Sequence, residues 1–421
     1  MKWIPARLRD VAQNQAAGAS FSQSDEVWHL NLDQIEAGTG NIVNKKMGLA
    51  SKAGDSTYAF DTSHVLYSKL RPYLNKVVCP NEPGIATTEL VPLRPDPNIL
   101  SRKFLTYYLR SPHFLGFAST AVSGVKMPRI IMSKFWDHEF LIPPLSEQER
   151  IVQILDWAEE LRRTRMTGNM QFGRILPALF NKIFGNPANN PMKWQTTNLR
   201  EVILDTQYGT SLKAFDTSSG GVPVIRMNNL EFNGFLDLRA LKYVPISQDE
   251  LEKLELKDGD ILFNRTNSKE LVGKTGIWRG GMKAVAASYL IRVRLNRGMV
   301  MPEYVWAYLN TPYMKSILFS KARRAIGMAN INAEELKALP LVLPRMAEQE
   351  VFAGWIAAVT GLRKDLQGCA AKLESLYSVL MHRAFSGELT AKWRAARMEQ
   401  LMQEMEQQRT LLGTPKETHA C

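Results

Sequence analysis

The apolar and polar positions of this chain follow a helical spacing in two long segments, and the second segment repeats the first. The segments start near Glu147 and Glu348, and their matching residues are separated by a constant offset of 201. Each opens with acidic residues, which suit the positive end of a helix dipole. The pattern therefore predicts two long helices, over residues 146–186 and 345–387.

Apolar residues in the second segment alternate between spacings of four and three, which is typical of the seam of a coiled coil. These positions are Trp355, Val359, Leu362, Leu366, Cys369, Leu373, Leu376 and Leu380. The matching positions of the first segment are Ile154, Ala158, Leu161, Arg165, Gly168, Phe172, Ile175 and Leu179. Pro177 predicts a kink or a break there. We expect the two seams to face each other, as rods of roughly 55 Å that hold two domains at a set distance.

The repeat extends upstream of the helices almost to the start of the sequence. Its offset grows from 191 at Lys2-Trp3, which matches Lys193-Trp194, to 200 at Thr88–Arg94, which matches Ser288–Arg294. Short loop insertions produce such a drift. The chain therefore divides into two similar halves, each with a globular domain followed by a helix. The predicted domains are 1–145 and 187–344, and a charged tail, 388–421, follows with some helical character.

Within each half, short apolar runs bounded by turn residues predict strands, and one amphipathic run predicts a short helix. The predicted fold class is α+β. It comprises two similar mixed α/β domains separated by two long antiparallel helices that form a coiled coil, with a pseudo-twofold internal repeat.

The charge of the chain indicates what kind of partner it binds. A formal net charge of +12 and a pI near 9.5, with 41 acidic residues still present, indicate basic surfaces that bind a polyanion. No apolar run is long enough for a membrane span, and no signal-peptide core is found near the first residue. Three widely separated cysteines indicate neither a disulfide framework nor a zinc site. We expect a cytoplasmic protein without a metal.

Catalytic patterns in the chain are incomplete. Leu271–Thr275 resembles the end of a phosphate-binding loop, but Ser268 stands where the first glycine is required. Asn186–Asn189 lacks the second proline and the aromatic residue of an amino-methyltransferase tetrapeptide. Glu255–Lys257 lacks the upstream Pro-Asp of a nuclease carboxylate set. We therefore expect a chain without catalytic residues or a cofactor of its own.

Loops after matched strands carry basic, aromatic and amide side chains at corresponding places in both halves. Lys, Ser and Thr hold phosphates, whereas Arg and Asn can form paired hydrogen bonds with guanine and adenine edges. The candidate DNA-binding residues of half one are Tyr67, Ser68, Lys69, Arg71, Tyr73, Lys76, Lys126 and Arg129. Those of half two are Arg226, Asn228, Asn229, Arg265, Thr266, Asn267, Lys269, Lys274, Arg323 and Arg324. A solvated basic loop or a turn cap is the alternative for any one of them.

Five stretches together resemble type I restriction-modification DNA specificity subunits. They are Asp260–Asn267, Val224–Leu230, Leu66–Leu74, Ile142–Arg150 and Ala384–Leu389. The resemblance implies two target-recognition domains that each read one half of a split double-stranded DNA site, spaced by antiparallel helices. It also implies that two modification subunits, which carry the S-adenosylmethionine chemistry, dock on the helices. Restriction subunits that use ATP and Mg would complete the nuclease.

One part of half one departs from the resemblance. Where half two reads Arg226–Asn229 at a strand end, half one reads Val27–Asp33, which gives no counterpart by sequence. Unequal halves imply an asymmetric target. Two alternatives stay open, a recognition subunit of a related methyltransferase-nuclease of different architecture and a basic helical scaffold that binds RNA.

Overall fold

The computed structural model describes residues 2–18, 21–172, 174–218, 220–267, 273–321, 323–325 and 328–413. For residues 166–172, 267, 323–325 and 328–329 it describes the backbone alone. The chain divides into two compact units. The first unit is 1–164 together with 369–421, and the second is 165–368. Each unit thus contains one globular domain and a part of both long helices.

The strands of the first unit are β1 (Ile4–Arg7), β2 (Ala12–Asn14), β3 (Glu26–Leu30), β4 (Met47–Leu49), β5 (Thr57–Phe60), β6 (Val65–Ser68), β7 (Val77–Val78), β8 (Gly84–Thr87), β9 (Leu90–Pro95), β10 (Val122–Ser123), β11 (Arg129–Ile130) and β12 (Glu139–Ile142). The first helices are α1 (Leu8–Val11), α2 (Arg102–Arg110), α3 (Pro112–Thr120), α4 (Met132–Asp137) and α5 (Leu145–Phe172), of which α5 continues into the second unit. One sheet has the order β2-β9-β6-β7 and another the order β4-β3-β8-β5.

The strands of the second unit are β13 (Gln195–Asn198), β14 (Ile203–Tyr208), β15 (Val222–Ile225), β16 (Lys242–Val244), β17 (Ile261–Asn264), β18 (Thr266–Asn267), β19 (Thr275–Ile277), β20 (Val285–Ala286), β21 (Leu290–Leu295), β22 (Arg323–Ala325), β23 (Met328–Asn330) and β24 (Pro340–Leu343). Its helices are α6 (Ile175–Phe184), α7 (Gln248–Leu254), α8 (Pro302–Leu309), α9 (Pro312–Lys321), α10 (Ala333–Lys337) and α11 (Met346–Ser386), and α11 ends in the first unit. Its sheets have the orders β14-β21-β17-β19, β16-β15-β20 and β18-β23-β22. The prediction of a mixed α/β chain with a long helix is confirmed.

The first predicted helix is divided in two. The helix α5 ends at Phe172 and α6 begins at Ile175, two residues before Pro177. A proline lacks the amide hydrogen of a helix interior but is tolerated in the first turn, so the break falls just upstream of it. The second helix, α11, is continuous over 41 residues, a length of about 60 Å.

A buried glutamine fixes the start of each long helix. In the first unit the Gln148 amide nitrogen donates to the carbonyl oxygens of Ile99 and Pro143, both at 2.8 Å. In the second unit Gln349 donates to the Pro344 carbonyl oxygen at 2.8 Å. Both side chains are fully buried, and each satisfies backbone groups that would otherwise lack partners.

The two helix segments run in opposite directions within each unit. In the first unit the Arg162 guanidinium pairs with Glu374 at 2.7 Å, whereas Ile151, earlier in α5, shares a core with Ala384, later in α11. The second unit shows the same order. Its Arg165 contacts the Leu366 carbonyl oxygen, and Phe184 packs edge-on against Phe352.

The predicted seam is wrong at four of its eight positions in the second helix, where the side chains are exposed, and at Leu161 and Ile175 of the first helix; the side chains of Gly168 and Phe172 lie outside the described residues. Trp355, Leu362 and Leu376 are more than half exposed, as is Leu161 of the first helix. The side of α11 that faces protein passes instead through residues such as Ile356, Val359, Arg363, Leu366, Ala370, Leu373, Tyr377 and Leu380, which are buried or half-buried. The sequence offers two apolar stripes on one helix, and only one of them is covered.

The tail of the first unit forms two helices, α12 (Ala391–Ala395) and α13 (Met398–Leu412). Leu401 and Met405 of α13 are buried. Glu404 accepts hydrogen bonds from the backbone nitrogen and hydroxyl of Ser146, the second residue of α5. The tail therefore caps the helix start in its own unit.

Candidate nucleic-acid interface

In the first unit, the loop after β6 is joined to the hairpin β10-β11. The backbone nitrogen of Ile130 donates to the Lys69 carbonyl oxygen at 2.9 Å, and that of Arg71 donates to the Pro128 carbonyl oxygen at 2.7 Å. Arg71 has a left-handed backbone (φ 50°), which is uncommon for a residue with a side chain. Two candidate segments that are about 60 residues apart in sequence thus form one surface.

That surface carries most of the candidate cations of half one. Arg71 and Lys126 are exposed, and Tyr73 is 55% exposed. Arg129 forms an ion pair with Glu89 at 3.0 Å, and this hydrogen-bonded carboxylate raises the pKa of Arg129. Such side chains can contact phosphates or base edges without rearrangement of the fold.

Two candidates of this loop are buried, which corrects their assignment as DNA contacts. Tyr67 is 2% exposed and stacks on Phe135 with ring centroids 5.0 Å apart, and burial raises the pKa of its hydroxyl. Ser68 is also buried, and its hydroxyl donates to the Leu70 carbonyl oxygen at 2.9 Å. Both belong to the strand that supports the loop. All four residues of β6 are buried, and because successive side chains of a strand point to opposite faces, Tyr67 enters the same core cluster as Val65, whereas Leu66 enters another.

The second unit brings together the corresponding segments. The backbone nitrogen of Ile331 donates to the Arg265 carbonyl oxygen at 2.9 Å, and strand β18 pairs with β23. The hydroxyl of Thr266 donates to the Asn330 side-chain oxygen at 3.2 Å. The Arg265 guanidinium lies over the Tyr208 ring, 4.7 Å from its centroid. Stacking on an aromatic ring holds a guanidinium in place for paired hydrogen bonds.

The strand end Ile225–Asn229 places two candidates near solvent and one in the interior. Asn228 is exposed and Arg226 is half-buried. Asn229 is 4% exposed, accepts from the Arg226 backbone nitrogen at 2.9 Å and donates to the Asp237 carbonyl oxygen at 2.9 Å. Asn229 therefore stabilises the turn, which corrects its assignment as a base-reading residue.

Lys76 and Lys274, both half-buried, donate hydrogen bonds to protein carbonyl oxygens, and their contact with DNA stays a prediction. The Lys76 ammonium donates to the Leu32 carbonyl oxygen at 2.7 Å. The Lys274 ammonium donates to the carbonyl oxygens of Met227 and Leu230, at 3.1 and 2.7 Å, and burial lowers its pKa. Each lysine thus ties a three-residue turn, Leu32–Gln34 or Met227–Asn229, to the segment just before β7 or β19.

Four candidates have no described side chain. Lys269 lies outside the described residues, and Asn267, Arg323 and Arg324 are described by their backbone, in β18 and β22. The strands β22 and β23 form a hairpin whose partner is β18. Their backbone places these three residues on the same sheet as Thr266.

Comparison with known proteins identifies the group to which this architecture belongs. Residues 1–164 and 191–366 match the family described as the type I restriction modification DNA specificity domain. The chain belongs to this family. The function that follows is DNA sequence recognition in a type I restriction-modification system, as the sequence resemblance predicts.

Individual relatives of this specificity-domain chain agree with the family match. It is 26% identical over 322 residues to the EcoKI specificity subunit of Escherichia coli K12, which covers 72% of this chain and 68% of that protein. A solved structure titled for complex assembly and conformational transition of the type I R-M system matches with a TM-score of 0.59 and 19% identity, over 92% of this chain and 98% of the other. The S subunit from M. genitalium matches with a TM-score of 0.54 and 12% identity, over 91% and 96%. These structures share the fold.

The specificity domains contain site residues that the sequence interpretation did not select. Tyr208 supports Arg265, and Asn330 supports Thr266. Tyr289, 50% exposed, occupies the position of Glu89 in the other half. Glu89 and Tyr289 are the second residues of the matched segments Thr88–Arg94 and Ser288–Arg294, so the repeat in the sequence could have identified Tyr289.

The expectation that half one has no counterpart of the Arg226–Asn229 strand end is wrong. Strand β3 pairs in parallel with β8, with Leu30 opposite Ala86, and β15 pairs in parallel with β20, with Ile225 opposite Ala286. A three-residue turn follows each strand, at Leu32–Gln34 and Met227–Asn229. The side chains differ while the backbone is the same.

Neither a membrane span nor a metal centre is found in the described part of the specificity-domain chain. Its described helices are each too short or too polar to cross a membrane. The same residues contain no group of three His, Cys, Asp or Glu side chains placed to hold a metal ion.

Proposed function

We propose that this chain is the non-catalytic sequence-reading subunit of a type I restriction-modification complex, with two target-recognition domains that read the two halves of a split, asymmetric site. The observation that carries the proposal is the recurrence of one arrangement in both units. A strand, the loop after it and a later hairpin are hydrogen-bonded together and present polar and basic side chains. Phosphate contacts from the loops would position each domain, and exposed side chains would test base edges.

The residues that we assign to contact with DNA are those left accessible by the fold. In the first domain they are Lys69, Arg71, Tyr73, Lys126 and Arg129. In the second they are Arg226, Asn228, Arg265 and Thr266. Their non-identity at matched positions supports an asymmetric target, because different side chains complement different base edges.

The long helices would set the distance between the two half-sites. The proposal is supported by the opposite direction of the two helix segments in each unit and by the 41-residue length of α11. We propose a pseudo-twofold arrangement in which the helices form an antiparallel spacer of about 60 Å. Removal of seven residues from facing turns of both helices is then expected to shorten the preferred spacer between half-sites. An unchanged spacer would contradict this role.

The uncovered stripe of the long helices supports docking of partner subunits. Val351, Trp355 and Leu362 of the second unit are each more than half exposed, and so are Trp157 and Leu161 of the first. Large apolar side chains exposed in a row on a helix favour packing against another protein. We propose that two modification subunits bind there, with restriction subunits joining them. S-adenosylmethionine, ATP and Mg would be bound by those partners.

The test is binding of the assembled complex to a duplex with one defined split sequence, compared with a scrambled duplex and with RNA at fixed salt. The split sequence comes from mapping methylated adenines in cells that express the chain with its modification subunits. We expect the split duplex to bind at least about a thousandfold more tightly than the scrambled one. Equal binding of both duplexes would contradict the proposal, and preference for RNA would favour an RNA-binding scaffold.

A further inference from the structure

The turn after β3 is a base-reading candidate that the sequence alone does not reveal. Asn31 and Asp33 are both exposed, and they flank Leu32 at the end of a strand that belongs to the first recognition domain. In the second domain the corresponding turn carries Arg226 and Asn228, which we assign to DNA contact.

Three independent contacts fix that equivalence. First, Leu30 lies opposite Ala86 and Ile225 opposite Ala286, so the strands end in the same register. Second, isolated bridges close each turn, between Ile35 and Ile42 and between Leu230 and Leu236, at an identical position.

The third contact is a hydrogen bond from a lysine, which joins each turn to the segment before β7 or β19. Lys76, just before β7, donates to the Leu32 carbonyl oxygen, and Lys274, just before β19, donates to that of Met227. Leu32 and Met227 are each the second residue after the strand. The register therefore places Asn31 at the position of Arg226 and Asp33 at the position of Asn228.

A buried amide holds each turn from below. The Gln34 nitrogen donates to the His29 carbonyl oxygen at 2.6 Å, and the Gln34 oxygen accepts from the Trp28 indole at 3.3 Å. Asn229 has this role in the second domain, where it accepts from the Arg226 backbone. Because both turns are fixed by buried contacts, the side chains above them project from an ordered backbone.

We propose that Asn31 and Asp33 read base pairs of the first half-site, from the structural position that Arg226 and Asn228 occupy in the second domain. This inference rests on the proposed function. The Asn31 amide can donate to and accept from an adenine edge, and the Asp33 carboxylate can accept from the amino group of cytosine.

The charge of Asp33 gives the proposal its specific chemistry. Its carboxylate lies 2.9 Å from the Lys46 ammonium, and this hydrogen bond lowers the pKa of Asp33, so the group is an acceptor only. The Lys46 ammonium offsets repulsion between this carboxylate and DNA phosphates, and the remaining lone pairs of the carboxylate can accept a hydrogen bond from a base amino group. Asp33 therefore disfavours base pairs that present only acceptors at that point of the groove.

The experiment is selection from a randomised duplex library by the full chain assembled with its modification subunits, at fixed salt. The variants are Asp33→Asn, which keeps the side-chain shape, and Asn31→Arg, which installs the residue of the second domain. Asp55→Asn is the matched control, since Asp55 is an exposed aspartate of the same domain. The second half-site serves as an internal reference in every selection.

We expect Asp33→Asn to change the preference at one position of the first half-site by about tenfold or more, and Asn31→Arg to move another position toward guanine. The second half-site and the Asp55→Asn selection should match the parent chain. An unchanged first half-site in both variants would overturn the proposal. Weaker enrichment of the first half-site with unchanged base preference at every position would also overturn it. That result is expected when a phosphate contact is lost or the domain is misfolded. If the parent chain enriches no split motif, the proposed function itself fails.

Discussion

The Lys274 ammonium group donates a 2.7 Å hydrogen bond to the carbonyl oxygen of Leu230, 44 residues earlier in the chain. The same lysine donates to Met227, so it joins the turn that carries Arg226 and Asn228 to the start of β19. Lys76 makes the corresponding bond to Leu32 in the other domain. In both domains, a lysine that the sequence places among the candidate phosphate contacts thus also joins the turn after β3 or β15 to the segment before β7 or β19.

Lys274→Met is expected to weaken binding of the second half-site without changing its salt dependence. Loss of a hydrogen bond from a charged group costs about 1.5–3 kcal/mol and loosens the turn, but no phosphate contact is removed. Arg71→Ala is the comparison, because an exposed arginine at a phosphate should lower the slope of log Kd against log salt by about 1. Titrations at four salt concentrations measure both quantities. A slope reduced equally in both variants would show that Lys274 contacts DNA.

Glu147→Ala is expected to destabilise the first unit by about 3–5 kcal/mol. The Glu147 carboxylate is fully buried and accepts hydrogen bonds from the Trp3 indole, the Thr390 hydroxyl and the Arg394 guanidinium. Its removal leaves Arg394 without its anion and takes away one of the contacts between the tail and α5, while the hydrogen bonds between Ser146 and Glu404 remain. Denaturant unfolding followed by tryptophan fluorescence measures the change.

The repeat supplies the matched control for that measurement. Glu348 occupies the position of Glu147 in the second helix, but it pairs with Arg345, whose side chain is 78% exposed. Solvent screens such a pair, so Glu348→Ala should leave the unfolding transition almost unchanged. Equal destabilisation by both substitutions would contradict a special role for the buried glutamate.

Periodicity predicted where the helices lie better than which face they bury. The predicted range 345–387 compares with Met346–Ser386 for α11. Val359 and Leu373 lie on the covered side as expected, but Leu362 and Leu376 do not. A covered stripe that includes Arg363 is not apparent from hydrophobicity. Arg363 is held there by an ion pair with Glu231 and by the Phe235 ring, contacts that exist only in the folded unit.

In the candidate site, too, features set by local sequence could be predicted, whereas features set by tertiary contacts could not. Sequence matching identified the loop at Arg71 and the segment around Arg129, and the structure shows that this segment is a hairpin hydrogen-bonded to the loop. It did not identify Asn31, because Val27–Asp33 shares no side-chain pattern with the second domain, and only strand register shows the equivalence. The hydrogen bond from Lys76 to a carbonyl 44 residues earlier in the chain is likewise not encoded by any local pattern.

Trp355→Glu is expected to abolish capture of modification subunits while the chain stays folded. Trp355 is 55% exposed, so a charge there costs little in the free chain, but it would be buried in the proposed contact. We expect the affinity to fall at least about thirtyfold, the loss typical of a central tryptophan. Gln367→Glu, which adds the same charge at an exposed position of α11, is the control. Retained capture by Trp355→Glu in co-purification would contradict docking on this stripe.

Lys315→Met is expected to remove a pH dependence of stability from the second domain. The Lys315 ammonium donates to the Gly273 carbonyl oxygen at 2.5 Å, and burial, with the nearby Lys274 charge, lowers the pKa of Lys315 to about 7. Between pH 7 and the ordinary value of 10.5, the unfolded chain holds a proton that the folded chain has released, so stability rises with pH there by about 1 kcal/mol per unit. Below pH 7 both states are protonated and this contribution is constant.

The free energies of unfolding of the parent chain and of Lys315→Met are measured at pH 6, 7, 8 and 9. Their difference should grow in favour of the parent only above pH 7, because all other titratable groups are shared. A difference that is independent of pH would show that the Lys315 ammonium keeps its proton in the folded domain.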